Sequence, residues 1–107
     1  MPLDDPDNPL AVEIRQEAAA VYFAACSKMV ASLEALNAFD RAVPSPILNP
    51  EQITQRSRLL EDAAQRVHFV LIQRDAMKLS HFEHFFELYG VPAEVKARMG
   101  VSDLKQQ

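Results

Sequence analysis

The fold of this chain is decided by residues 59 to 79, whose sequence is LLEDAAQRVHFVLIQRDAMKL. The centre of this stretch, residues 67 to 72 (VHFVLI), is the most apolar run in the protein. The residues on both sides of the run are good helix formers with no turn signal, so the pattern predicts the middle of a buried helix. A buried strand is the alternative, because Val, Phe and Ile favour strands, but the sequence offers no second strand to pair with it.

Two long helices are predicted around this run because proline stands only at their ends. Asn8 and Asn49 each precede a proline, which is the arrangement of an N-cap followed by proline at the first helical position. Gln52 adds a capping box to the second start. We therefore predict a flexible tail over residues 1–8 and helices over residues 9–43 and 50–79.

Two short helices are predicted to follow. Ser80 and Glu83 form the Ser-x-x-Glu pattern that is typical of a helix start. Gly90 stands where a left-handed C-cap is needed, and Val91 is placed to contact Phe86 in a Schellman-type helix end. These signals predict helices over residues 80–89 and 92–99, and thus a single all-α domain over residues 1–107.

Composition limits the classes of protein to which the chain can belong. Its 107 residues suit one domain, with 49% apolar and 24% charged residues and a formal net charge of -4. An acidic surface repels phosphate, so no nucleic-acid partner is expected. The single cysteine, Cys26, forms no intrachain disulfide. The chain has no positively charged, apolar leader and no uninterrupted apolar run of membrane-spanning length, so we expect a cytoplasmic protein without a membrane partner.

The pattern of apolar residues also predicts assembly. Two long helices with a short proline-containing connection form an antiparallel hairpin, which buries only one face of each helix. The run at residues 67 to 72 calls for cover on several sides, and the small side chains of residues 18–25 would let another helix approach closely. We expect a homodimer with four long helices. The alternative is a monomer in which the short helices supply the cover.

The densest group of possible metal ligands is in the predicted third helix. His81 and His84 are three residues apart, so both could reach one metal ion, and Glu87 is a possible third ligand. The alternative is that these residues form the solvated side of an amphipathic helix. Because the chain contains neither His-Glu-x-x-His nor Glu-x-x-His, no cofactor is predicted.

A second possible site is a pocket between helices 2 and 3. Its apolar lining would come from Phe69, Phe85 and Tyr89, and its polar groups from His68 and Arg74. Structural roles are the alternative for the two polar residues. His68 would be a histidine at the edge of the core, and Arg74 would be half-buried and paired, for example with an acid across an interface.

No arrangement of nucleophile, acid and base can be identified in the sequence, so an enzyme is the least favoured class. The favoured function is a non-enzymatic helical interaction or structural protein, because a lone hairpin cannot cover its own apolar surface. The alternative function is a helical protein that binds a small molecule or a metal ion. Besides a second copy, an unidentified protein is a possible partner.

Residues 69–76 (FVLIQRDA) together with residues 89–100 (YGVPAEVKARMG) resemble a family of small, uncharacterised bacterial proteins that are all helical. The resemblance covers about the last 40 residues of the chain, and the first helix resembles the family only in general character. The family has no assigned activity, so the resemblance implies neither a substrate nor site residues. It implies that Gln73, Arg74 and the turn at residues 89–92 are shared features.

Overall fold

The structure is a computed structural model that describes residues 8–44, 46–79 and 82–100. All regular secondary structure in these ranges is helical. The elements are α1 (Pro9–Ala42), α2 (Pro50–Ala76), α3 (Phe82–Tyr89) and α4 (Ala93–Arg98). This confirms the all-α class, with two long helices that pack against each other and two short ones after them. Residues 1–7 of the predicted tail lie outside the described residues, and Asn8 is the N-cap of α1.

Helices α1 and α2 form an antiparallel hairpin with one constant register. Arg56 bonds Asp40 near the connection, and Arg74 bonds Tyr22 near the other end. The sequence separation between Arg56 and Arg74 in α2 equals that between Tyr22 and Asp40 in α1. The two helices therefore keep the same register from one contact to the other. In this register Ala76, the last residue of α2, lies level with residue 20. Residues 9–19 of α1 therefore extend about 16 Å beyond the end of α2; we call this segment the α1 overhang.

The core lies between the two long helices and is closed at one side by α3 and α4. Small residues on both long helices (Ala25, Ala63 and Ala64) let the two backbones come close, and Ser32 satisfies its buried hydroxyl by donating to the Met29 carbonyl. On each long helix, spacing of three and four residues places apolar side chains along one stripe, and the stripes of α1 and α2 face each other in the hairpin. The buried members of these stripes are Cys26, Met29, Leu36, Phe39, Leu60, Val67, Val70 and Leu71.

Helix α2 ends three residues before the predicted position. The Leu79 N–H donates to the Arg74 carbonyl at 2.8 Å and the Lys78 N–H donates to the Asp75 carbonyl at 3.0 Å, which is a Schellman motif. Lys78 occupies the left-handed position with a φ of 65°. Residues with a Cβ rarely adopt this conformation, so glycine is the usual sequence marker of such a helix end. This segment contains no glycine, and the sequence therefore does not reveal where α2 ends.

The end of α3 has the geometry that the sequence predicts. Gly90 has a φ of 61°, and the Val91 N–H donates to the Phe86 carbonyl at 3.0 Å. Both Val91 and Phe86 are buried, which supplies the apolar contact of a Schellman end. Residues 80 and 81 lie outside the described residues, so the predicted Ser-x-x-Glu start at Ser80 lies there too.

Several apolar residues of α2 and its end are exposed, although Ile53 and Met77 continue the spacing of the buried stripe. Ile53 is 56% exposed and Met77 is 37% exposed, because the first lies near the connection and the second follows the end of α2. Phe69 and Ile72 are also exposed, at 47% and 51%. In the alternative to a dimer, the short helices supply the cover for residues 67 to 72, but α3 and α4 leave Phe69 and Ile72 exposed.

Helix α1 is apolar enough on average to bear on the membrane prediction. Over an 18-residue stretch its mean hydropathy is 1.3, and 28% of that stretch is buried within the chain. By length and composition this helix could cross a membrane, although it contains no uninterrupted apolar run of that length. Core helices of soluble proteins and signal sequences share these properties, so the absence of a membrane partner stays a prediction.

Candidate functional site

One polar side chain joins the three elements around the predicted pocket. The Arg74 guanidinium donates to the Tyr22 hydroxyl at 3.1 Å and lies 5.1 Å from the centre of the Phe85 ring. The Phe85 and Tyr89 ring centres are 4.9 Å apart. Arg74 is therefore half-buried and paired, as predicted, but the partner shown is a tyrosine hydroxyl on α1 and not an acid. We call Tyr22, Arg74, Phe85 and Tyr89 the Arg74 cluster.

The Arg74 cluster is partly buried. The Arg74 Nε is buried and has no hydrogen-bond partner within the described part of the chain. Burial raises the pKa of the Tyr89 phenol, and interaction with Cys26 raises it further. Phe85 is only 1% exposed, so its ring fills the space that a ligand would need. Arg74 thus holds α3 against the hairpin through its cation–π contact with Phe85 and its hydrogen bond to Tyr22.

The five residues of the predicted pocket fall into two groups. Arg74, Phe85 and Tyr89 are brought together in the Arg74 cluster. His68 and Phe69 are exposed on α2 and are not part of it. His68 instead lines a shallow groove with residues of α2 and the end of α4, namely Glu61, Ala64, Gln65, Arg98 and Met99.

The three predicted metal ligands are only partly described. His84 and Glu87 are exposed on α3, and His81 lies outside the described residues. Within residues 8–44, 46–79 and 82–100 no group of three metal-ligating side chains occurs. The His81, His84 and Glu87 site stays a prediction.

Exposed apolar side chains are concentrated at the open end of the hairpin, opposite the connection. Of the eleven large apolar residues that are exposed in the described chain, eight lie in residues 10–23 of α1 or residues 69–79 at the end of α2. The three others are scattered. We call these eight residues the open-end surface: Leu10, Ile14, Val21, Phe23, Phe69, Ile72, Met77 and Leu79. A concentration of this kind marks an interaction site more often than single exposed residues do.

Part of the open-end surface belongs to the same stripe that packs against α2. The buried residues Ala25, Met29, Ser32, Leu36 and Phe39 follow one another at steps of three or four. The same steps lead back from Ala25 through Val21, Ala18 and Ile14, all of which are exposed. Ile14 is not among the residues predicted from the sequence, although its spacing of four from Ala18 is the signal that could have revealed it.

Near the connection between the long helices, Arg56 of α2 bonds residues of both α1 and α4. Its guanidinium donates two hydrogen bonds to the Asp40 carboxylate of α1, at 2.8 and 3.0 Å, and two to the Glu94 carboxylate of α4, at 2.7 and 2.9 Å. These hydrogen bonds lower the pKa of both carboxyl groups and raise the pKa of Arg56. The bidentate geometry gives Arg56 a role in positioning α4.

Replacing Arg56 by Met is expected to flatten the acid side of the stability profile. A carboxyl group whose pKa is lower in the folded state stabilises the fold above its unfolded pKa, and this contribution is lost as pH falls through the folded pKa. The ordinary values are 3.8 for Asp40 and 4.5 for Glu94. Between about pH 5 and pH 3 the free energy of unfolding of the unmodified protein should therefore fall more steeply than that of Arg56→Met.

The difference should stay below about 1 kcal/mol, because the Asp40 and Glu94 side chains are 44% and 60% exposed. Urea unfolding at a series of pH values measures it. Arg58→Met, at an exposed position on the same helix, is the control and should keep the slope of the unmodified protein. Equal slopes for all three proteins would contradict the role of Arg56.

No protein family, curated protein or solved structure matches the chain in comparisons with known proteins. The resemblance of about the last 40 residues to a family of small bacterial proteins stays a prediction.

Proposed function

We propose that the protein is a non-enzymatic helical interaction protein that self-associates through the open-end surface. The observation that carries this proposal is the concentration of eight exposed large apolar residues at one end of the hairpin. Each exposed apolar side chain leaves surface in contact with water that association would remove, at roughly 25 cal/mol per Å². A cluster of such residues at one end therefore favours a partner there over a free surface.

The contacts of the charged side chains support a structural role over a catalytic one. Among the predicted site residues that the structure describes, Arg74 is the most buried charged side chain, and it contacts Tyr22 and Phe85. The Arg56 pairs fix the position of α4. In both cases the charged group joins helices, which is what a scaffold for an interaction surface requires. The predicted cytoplasmic location and the absence of a nucleic-acid partner belong to the same proposal.

The test is the solution mass, measured by light scattering behind a sizing column over a dilution series. Self-association predicts a mass that rises with concentration towards twice the chain mass of 12.0 kDa. A mass of one chain at every concentration would refute self-association. An unidentified protein or a bound ligand would then have to account for the open-end surface.

A further inference from the structure

We propose that the outer stripe of α2 is covered by the same stripe of a second copy, which runs antiparallel to it with the two-fold axis between residues 70 and 71. The outer stripe consists of Gln65, Phe69, Ile72 and Ala76. This inference rests on the proposed self-association and specifies which part of the open-end surface forms the contact. The two hairpins lie side by side along α2, which gives the assembly of four long helices predicted from the sequence.

The outer stripe lies on the side of α2 that faces away from the core. At 100° per residue, Phe69 and Ile72 lie about opposite Val67, which is fully buried. Phe69 is 47% exposed and Ile72 is 51% exposed, so α1, α3 and α4 leave both of them open to water. Gln65 and Ala76 are exposed as well. Every residue of the stripe belongs to the described part of α2, and this helix therefore has a second apolar side.

The spacing of the outer stripe identifies the occupant as a helix and fixes the register. Its residues follow one another at steps of four, three and four, which is the repeat by which two helices interlock along a seam. With the axis between residues 70 and 71, Phe69 of each copy lies opposite Ile72 of the other. Gln65 then lies opposite Ala76. A shift by seven residues would either place Asp62 opposite Ile72 or carry Phe69 past the end of the second α2, so only this register covers the apolar pair.

The charged residues on the same line determine the orientation. Arg58 and Asp62 continue the stripe towards the start of α2, at further steps of three and four. In a parallel pair each of them would lie opposite its own counterpart, and like charges that face each other oppose association. In the antiparallel pair both are level with positions beyond Ala76, the last residue of the second α2, and meet no like charge along that helix. The charges therefore favour the antiparallel orientation.

The borders of the outer stripe are complementary in the same register. His68 and Asp75 lie on one border, and Arg66 and Gln73 lie on the other. In an antiparallel pair the same border of both copies meets, which brings His68 of one copy beside Asp75 of the other. Arg66 comes beside Gln73 in the same way. The imidazole N–H can donate to the carboxylate, and the guanidinium can donate to the amide oxygen. The seam thus has the apolar centre and polar borders of a protein interface.

The seam is short compared with a standard protein interface, so the dimer should dissociate on dilution. The first test introduces a charge at its centre. Phe69→Asp places a carboxylate against Ile72 on both sides of the axis and should weaken dimerisation about 100-fold or more, while the helix content by circular dichroism is unchanged. The matched control is Leu88→Asp, because Leu88 is 67% exposed on α3, outside the seam, and should leave the dissociation constant unchanged.

The second test measures the orientation by disulfide formation in a Cys26→Ala background. An antiparallel seam brings Gln65→Cys of one copy opposite Ala76→Cys of another, so a mixture of the two variants should form the mixed disulfide on mild oxidation. In this register two cysteines at position 65 are about 16 Å apart along the seam, and so are two at position 76. That separation is too long for a disulfide, so neither variant should cross-link with itself.

The outcomes separate the seam from self-association as such. A monomer at all concentrations refutes self-association, and the seam with it. A dimer that Phe69→Asp does not weaken refutes the seam alone and assigns the contact to the part of the open-end surface that lies on α1. Self-cross-linking of Gln65→Cys without the mixed product would show a parallel seam and would overturn the inference.

Discussion

Replacing Phe85 by Ala is expected to lower the free energy of unfolding by about 3–5 kcal/mol. The Phe85 ring is 1% exposed and lies 5.9 and 4.9 Å from the centres of the Phe86 and Tyr89 rings. Truncation leaves a cavity under α3 and also removes the ring over which the Arg74 guanidinium lies. Arg74 then keeps its burial but loses the cation–π contact, which adds to the cost. Urea unfolding followed by circular dichroism measures the change.

The control for this prediction is Leu88→Ala in the same helix. Leu88 is 67% exposed, so its truncation should change the free energy of unfolding by less than about 0.5 kcal/mol. Because both changes lie in α3 and both end in alanine, the difference between them isolates burial from helix propensity. A loss at Phe85 no larger than that at Leu88 would show that α3 is not docked on the hairpin.

The parts of the fold that the sequence predicts are those with local causes. The start of α2 is an example, because the Gln52 N–H donates to the Asn49 side chain at 2.8 Å and the Asn49 N–H donates to the Gln52 side chain at 2.9 Å. The end of α3 is another, since Gly90 supplies the left-handed conformation at no steric cost. In both cases the residues that produce the feature are adjacent in sequence.

The end of α2 could not be predicted for the opposite reason. Lys78 takes the left-handed conformation although its residue type does not favour it, so the break is imposed by the fold around it. Although the predicted end of α2 is wrong by only three residues, the error changes which residues of α1 are exposed. Because α2 ends at Ala76, it does not cover Ile14, Ala18 and Val21 of α1, and these residues are exposed.

The Arg74 cluster was predicted in part. The sequence predicts Arg74, Phe85 and Tyr89 together, as part of the lining of a pocket between helices 2 and 3. Their partner Tyr22 is 52 residues away from Arg74 and carries no local signal of the contact. Which side chain satisfies a buried polar group depends on the register of the hairpin, and that register is set by packing along its whole length.

The apolar run at residues 67 to 72 shows that a continuous apolar sequence on a helix is not buried on all its sides. Val67 and Val70 are fully buried, whereas His68, Phe69 and Ile72 face away from the core and are exposed. On a helix, consecutive residues point in directions 100° apart, so an apolar run does not place all its members on one side. The two sides should therefore respond very differently to the same substitution.

Val67→Asp is expected to lower the free energy of unfolding by about 4 kcal/mol or more, because it buries an unpaired carboxylate between α1 and α2. A loss of that size would leave a domain of ordinary stability largely unfolded. The adjacent change His68→Asp puts the same group at an exposed position and should cost less than about 1 kcal/mol. Thermal unfolding followed by circular dichroism compares the two variants. Equal losses would mean that His68 is covered as well, and that the run is buried on both sides of α2.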